Sequence, residues 1–282
     1  MPEGDTLART AATMHRWLAG REITAATTKV EGFPAERLVG RRILAVDAWG
    51  KNLMVRLDGD EVLHTHLRMT GSWHVYPAGH PWRRPERQAR LALTCGDRLA
   101  VCFNAPVVEL VPAGSMARHP ALGNLGPDVL GQPLVLAEVR RRAQAGPPDR
   151  PVGELLLDQR VVAGIGNIWR CEALFAEGHN PWTPVSALTD AQLDALVSTA
   201  GRLMRASVES RTGAPEGRSV YRRAGRPCPR CRTPVKSRRQ GDQARTAYWC
   251  PTCQPHPVTA PASTGPPEPP APLVPPTGPA AS

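Results

Sequence analysis

The sequence predicts an α+β protein of several modules: a β-rich N-terminal module behind one leading helix, a helical middle module, and a cysteine-held hairpin near the C-terminus. Three observations carry this reading. Apolar residues run in short, turn-bounded segments from about Glu22 to Val111, change to helical spacing after "LGPDVLGQP", and give way to two close cysteine pairs. A chain of 282 residues with 41% hydrophobic side chains can bury a core in two or three such modules.

The leading helix rests on Leu7, Ala11, Met14 and Leu18, which share one face, with Gly20 as its stop. Pro2 and Glu3 then lie at a helix N-terminus. The segments "RRILAVDAWG", "KNLMVRLDGD", "EVLHTHLRMTGSWHVY" and "ARLALTCGDRLAVCF" read as strands of a twisted antiparallel sheet or sandwich. Near Gly126 a helical module begins, with "VLAEVRRRAQ", "VGELLLDQ", "NIWRCEALFAEG" and "TDAQLDALVSTAGRLMRASVES", the last opened by a capping box from Thr189 to Gln192. In "AGIGNIWR", Gly164 and Gly166 bracket a turn, Asn167 is expected to cap the next helix, and the free amides there would suit a phosphate. From about Pro255 the chain is almost entirely Pro, Ala, Thr, Gly and Ser, a composition too poor in apolar bulk to fold.

The net charge of +10 points to a polyanionic partner, since arginines that neutralise phosphates release condensed counterions. Only Lys29, Lys51 and Lys236 are lysines in an arginine-dominated chain, so each lysine asks for a reason. No segment approaches the roughly twenty apolar residues that span a bilayer, and no basic leader precedes an apolar run, so no membrane partner and a cytosolic location are expected. Cys95, Cys102 and Cys171 stand in apolar surroundings and read as buried thiols.

Cys228-x2-Cys231 and Cys250-x2-Cys253, separated by eighteen residues, have the spacing of a zinc ribbon. Four thiolates around one structural zinc are expected. A redox pair would need a lone CxxC beside a strand-helix unit, which is not what stands here. Arg230, Arg232, Lys236, Arg238, Arg239 and Arg245 lie between the pairs, so the hairpin is also a basic finger.

Taken in order, "MPEG", "WGKNL", "HLRMTGSW", "LDQRVVAGIGNIWR" and "RTAYWCPTCQ" resemble the formamidopyrimidine-DNA glycosylase and endonuclease VIII family over about Pro2 to Gln254. The resemblance implies a β-sandwich flanked by helices over residues 1–122, a helix-two-turn-helix domain over 123–210, and a zinc finger over 218–254, with 255–282 a disordered tail. It also implies a monomeric bacterial, nucleoid-associated enzyme acting on damaged DNA in duplex, bubble or single-stranded form.

The implied chemistry gives the leader a purpose. Removal of Met1 would leave Pro2 with a secondary amine able to form a charged iminium with an aldehyde. An α-amine titrating near about 7.7–8.0 is roughly a quarter neutral at about pH 7.4, against roughly 0.1% for an ordinary lysine. The positive end of the first helix favours the neutral amine further. Pro2 is thus the implied nucleophile, Glu3 the proton donor and acceptor, and Lys51 a contact to the sugar or the phosphate beside the lesion. Asn167 and Arg245 would pinch the flanking phosphates. Met69 would fill the stack vacated by the flipped nucleotide, with Arg68 and Thr70 beside it; its alternative is ordinary sheet core. His66 is either a phosphate contact or a packed strand residue.

Departures from the family narrow the substrate. Thr6 stands where many members carry a second glutamate, "VCFNAPVVEL" lacks the arginine-phenylalanine wedge of the formamidopyrimidine branch, and the connection from Ser207 to Cys228 is short. The last two favour the endonuclease VIII branch and oxidised pyrimidines. The alternatives are an oxidised-purine glycosylase, a noncatalytic binder of damaged or branched DNA, and a zinc-ribbon nucleic-acid module, which would leave the N-terminus unexplained.

Overall fold

The computed structural model describes residues 2–210 and 217–256. The proline-rich tail beyond 256 and part of the Ser207–Cys228 connection therefore lie outside the described residues.

Helix α1 (Gly4–Leu18) starts at Glu3 and buries Leu7, Ala11, Met14 and Leu18, the face that its apolar spacing predicts. Eight strands follow: β1 (Ala25–Thr28), β2 (Ile43–Trp49), β3 (Asn52–Leu57), β4 (Glu61–His66), β5 (Ser72–Pro77), β6 (Ala89–Cys95), β7 (Arg98–Phe103) and β8 (Val107–Pro112). They form two antiparallel four-stranded sheets in the orders β1-β6-β7-β5 and β2-β3-β4-β8. Leu53, Val55 and Leu63 from one sheet and Trp73, Leu91, Leu93 and Cys102 from the other meet α1 in a continuous apolar core, the main favourable term holding this module together.

"EVLHTHLRMTGSWHVY", which reads as one strand-rich run, crosses between the sheets. His66 ends β4 in one sheet and Ser72 starts β5 in the other. The crossing is a tight turn in which Gly71 N donates to Leu67 O at 2.9 Å and Arg68 has φ of 44°. A Cβ at Gly71 would meet Leu67 O at 2.5 Å, so only glycine fits there.

Beyond the sandwich come α2 (Leu136–Gln144), α3 (Val152–Leu155), α4 (Asn167–Glu177) and α5 (Asp190–Glu209). The capping box is present, with Gln192 N donating to Thr189 Oγ1 at 3.2 Å and Thr189 N donating to Gln192 Oε1 at 2.8 Å. "VGELLLDQ" makes only one helical turn. Asp158 draws the chain out of the helix, accepting from the amides of Arg160 and Val161 through its side chain and carbonyl. The helices share a second core around Leu155, Leu156, Trp169, Leu174, Leu196 and Met204. A final hairpin, β9 (Lys236–Gln240) and β10 (Arg245–Trp249), is flanked by the cysteine pairs. Cys95, Cys102 and Cys171 are buried, which pushes their thiols up and leaves them neutral.

Candidate active site

Three backbone turns converge on one corner. Gly4 N donates to Gly164 O at 3.0 Å, joining the start of α1 to the turn before α4. The β2–β3 turn meets the same loop: Gly50 has φ of 59°, and a Cβ there would lie 2.9 Å from that of Ala163. Asp128 pins this turn from the side, its Oδ2 accepting from Gly50 N at 2.8 Å. The corner thus brings Pro2, Glu3 and Lys51 together across about 160 residues of chain, through contacts that tolerate no side chain at Gly4, Gly50 or Gly166.

Glu3 is buried, and its carboxylate accepts from Ile168 N at 2.9 Å and Trp169 N at 3.3 Å. Two expectations for α4 are corrected by this. Its N-cap is Gly166, with Asn167 the first helical residue, because a Cβ at position 166 would lie 2.2 Å from the Glu3 carboxyl carbon. And two of the amides that looked free for phosphate are already taken by Glu3, a buried acid whose charge the helix terminus complements. Burial nonetheless dominates and holds the Glu3 carboxyl above its usual range, against those two amides and the cation of Lys51. Burial likewise lowers Lys51 to about 8, with Glu3 opposing and Arg245 assisting.

Lys51, His66, Arg68, Met69, Asn167 and Arg245 line one cleft of about 190 Å³, together with Gly166, Leu157 and Gln243. Every sequence-derived DNA-facing residue therefore borders the same groove as Lys51. Met69 is 58% exposed at the tip of the β4–β5 turn and stands outside the sheet core. Arg245 reaches toward it from the hairpin, Nη1 lying 3.8 Å from Met69 Sδ. Asn167 Nδ2 donates to Thr246 O at 2.9 Å, tying α4 to β10, while its Oδ1 is buried without a partner. His66 Nδ1 accepts from Arg68 N at 3.1 Å and so shapes the turn. Its imidazole falls to about 4, through burial first and then the Arg68 charge, and is neutral near pH 7. Pro2 is half-buried directly before Glu3.

The sulfurs of Cys228, Cys231, Cys250 and Cys253 lie within 4.8 Å of one another and could hold a metal ion. The fit is that of a closed four-thiolate set.

The family model for the formamidopyrimidine-DNA glycosylase N-terminal domain matches residues 1–106, and the model for that enzyme's H2TH domain matches residues 125–216. A probable endonuclease 8 of Streptomyces coelicolor is 40% identical over 269 residues, covering 93% of this chain and 96% of its own. The chain belongs to the formamidopyrimidine-DNA glycosylase and endonuclease 8 family. A DNA-(apurinic or apyrimidinic site) lyase of Mycolicibacterium smegmatis is 36% identical, covering 90% of this chain and 99% of its own. Among solved structures, the MutM (Fpg) protein of Thermus thermophilus is 30% identical with a TM-score of 0.75, covering 90% of this chain and 98% of its own. Among the described residues, no helix is long and apolar enough to cross a membrane.

Sequence reasoning missed the residues that hold this family site in place. Asp128 left a faint signal, an acid in "LGPDVL" just before the helical module. Arg170 left a better one, a lone arginine inside the apolar "NIWRCEALF". Glu172, on the same helix, accepts from Ser219, Val220 and Tyr221 amides and anchors the chain as it enters the hairpin module.

Proposed function

We propose that this chain is a bifunctional DNA glycosylase and abasic-site lyase of base excision repair that removes oxidised bases, pyrimidines ahead of purines. The observation that carries the reading is the corner itself: a buried Glu3, its carboxyl held above the usual range, beside a half-buried Pro2 and a Lys51 lowered to about 8. With Met1 removed, the Pro2 amine attacks C1′ of the damaged nucleotide. The C1′–base bond breaks, and Glu3 supplies a proton to the opening sugar or the departing base. The iminium so formed acidifies the C2′ protons, and loss of one of them breaks the C3′–O bond and expels the 3′ phosphate. A second elimination at the 5′ side frees the sugar fragment. Lys51 and Arg245 meet the phosphates, Asn167 braces the hairpin that carries Arg245, and Met69 with Arg68 enters the vacated stack while His66 stiffens their turn. Zinc on the four cysteines supplies folding energy to the hairpin. The division at 1–122, 123–210 and 218–254 is proposed alongside, supported by the separate cores of the three modules.

Borohydride reduction with abasic-site DNA tests this directly. A covalent protein–DNA adduct is expected, strongly weakened in Pro2→Gly; no adduct from wild-type protein would overturn the lyase reading. A second amine is favoured by one observation, the lowering of Lys51 to about 8, which makes it a competing nucleophile. Mapping the trapped peptide decides between them, and an adduct on Lys51 would remove Pro2 from the mechanism.

The pyrimidine preference is supported by the β7–β8 turn. That turn carries Asn104, at φ of 50°, and the buried Ala105 rather than an arginine-phenylalanine pair, so intrusion would fall to the β4–β5 turn. Single-turnover excision of thymine glycol is expected to outpace that of 8-oxoguanine opposite cytosine, and the reverse order would move the chain to the oxidised-purine branch.

A further inference from the structure

Arg170 is the largest fully buried side chain among the described residues, with no exposed surface. Its Nη1 donates to Gly153 O at 3.3 Å and to Gln240 Oε1 at 3.1 Å, and its Nη2 to Arg245 O at 3.5 Å. All three acceptors are neutral. Its Nε is buried without a partner, and among the described residues no carboxylate lies in ion-pair contact with it. The side chain of the neighbouring Cys171 also hydrogen-bonds with it, but burial pushes that thiol up to about 11 and keeps it neutral, while Glu154 and Glu3 act on Arg170 only through space.

Such a charge is costly. A buried guanidinium normally needs an anion and full hydrogen bonding, and replacing an unpaired one by neutral groups usually does no harm to stability. This one also sits in the first turn of α4, where the helix dipole disfavours a cation. A purely structural bolt between α3, α4, β9 and β10 would work without the charge, since its partners are carbonyls, an amide and a neutral thiol.

The position suggests what the charge is for. Arg170 lies three residues beyond Asn167, on the same helix face one turn inward, and helical side chains lean toward the N-terminus. It therefore sits beneath the wall formed by Asn167 and Arg245, holding the carbonyl of Arg245 from below. Water does not reach it, so its field toward the cleft is screened far less than that of a surface arginine.

We propose that the counter-charge of Arg170 is a DNA phosphate bound over Asn167 and Arg245: Arg170 is a buried positioning and electrostatic residue whose charge is balanced only in the complex. The proposal rests on the reading that Arg245 and its neighbours meet phosphate. It explains why an arginine is kept in an otherwise apolar helix, and it makes the free protein pay for affinity that the complex recovers.

The test uses full-length zinc-loaded protein and a duplex carrying a tetrahydrofuran abasic analogue, with wild type, Arg170→Gln, Arg170→Lys and Arg245→Ala compared. Arg170→Gln keeps hydrogen bonding but removes charge. It is expected to bind about tenfold more weakly, the size of one lost charge-assisted contact. Its zinc content and its unfolding midpoint without DNA should match or exceed those of wild type, while the rise in midpoint on adding DNA shrinks. Arg170→Lys should recover most of the affinity. Single-turnover excision from a second duplex, carrying thymine glycol, at saturating enzyme should change little in either variant, so the loss lies in binding. Binding by Arg170→Gln equal to wild type overturns the proposal, as does Arg170→Lys binding no better than Arg170→Gln. Should Arg170→Gln not fold, Arg170→Met fills the same space without polar atoms. If neither folds while Arg170→Lys does, the charge is needed in the free protein and the proposal fails. Arg245→Ala separates the two levels: weakened binding there with none in Arg170→Gln sinks only this inference, whereas unchanged binding and salt dependence in Arg245→Ala sinks the phosphate reading beneath it.

Discussion

The Glu3–Lys51 corner and the cysteine hairpin face each other across one groove, yet they are held by different forces. Behind Glu3 and Lys51 lies the large sandwich core, and the corner is closed by backbone contacts at Gly4, Gly50 and Gly166 that admit no Cβ. Behind Arg245 lies a small cluster of six buried residues, three of them cysteines, while Lys236, Ser237, Arg238 and Arg239 of β9 are exposed. A few polar bonds join that hairpin to the helices: Asn167 to Thr246 O, Gln240 to Pro181 O and Asn180 to Gln254 O. So small a core supplies little hydrophobic stabilisation, and a metal on the four cysteines, which could hold one, would supply the rest. The difference teaches that the proposed chemistry and grip are separable: the corner keeps its geometry by burial and steric fit, whereas the finger would keep its own by coordination.

The sharpest way to break this separation is Glu3→Gln. If the corner contributes chemistry alone, base excision should fall by about 10²–10⁴-fold, the span of general acid–base catalysis, with affinity for an abasic analogue nearly unchanged. Some cleavage at preformed abasic sites should persist. Parallel loss of binding in a titration would show that Glu3 is also part of the grip, through the α4 terminus it caps.

Cys231→Ser attacks the other side. Loss of about one zinc per chain and disorder of the hairpin are expected, with affinity down roughly 10²-fold as the phosphate contacts of the finger go. Amide exchange should leave β2–β4 and β8 as protected as before. Exchange spreading into the sandwich would show that the two regions fold as one unit.

Lys51 spans the comparison, since it is coupled to Glu3 on one side and to Arg245 on the other. Its pKa is depressed, so the buried charge disfavours the folded state in full below about pH 8, and that penalty fades as pH rises from 8 toward the ordinary lysine value of 10.5. The same deprotonation removes a cation facing phosphate. Affinity should therefore fall several-fold between about pH 7 and 9 in wild type and less in Lys51→Arg, whose charge does not titrate there. Parallel pH curves would take Lys51 away from the phosphate.

The smallest effect belongs to Met69, which touches Arg245 across the groove. Met69→Ala should slow excision from duplex a few-fold and leave an unpaired lesion nearly unaffected, because an unpaired base saves part of the flipping cost. Equal slowing on both substrates would make Met69 a general surface contact.

How much of this the sequence could disclose depends on the range of the interactions involved. Local periodicity sufficed for α1, for the strands and for the capping box at Thr189, because the residues that specify them are neighbours in the chain. Cysteine spacing announced the metal site for the same reason, since each pair is a local turn. The ordered motifs brought Pro2, Glu3, Lys51, Asn167, Met69 and Arg245 to notice, although nothing local says that they share a groove. Only the tertiary structure decided that Glu3, and not Asn167, serves the start of α4, that Asp128 steadies the Lys51 turn, and that Arg170 is buried with neutral partners. Each of these turns on contacts between residues tens to more than a hundred positions apart. Burial sets the protonation of Glu3 and Lys51, and burial is created by packing rather than by sequence neighbours.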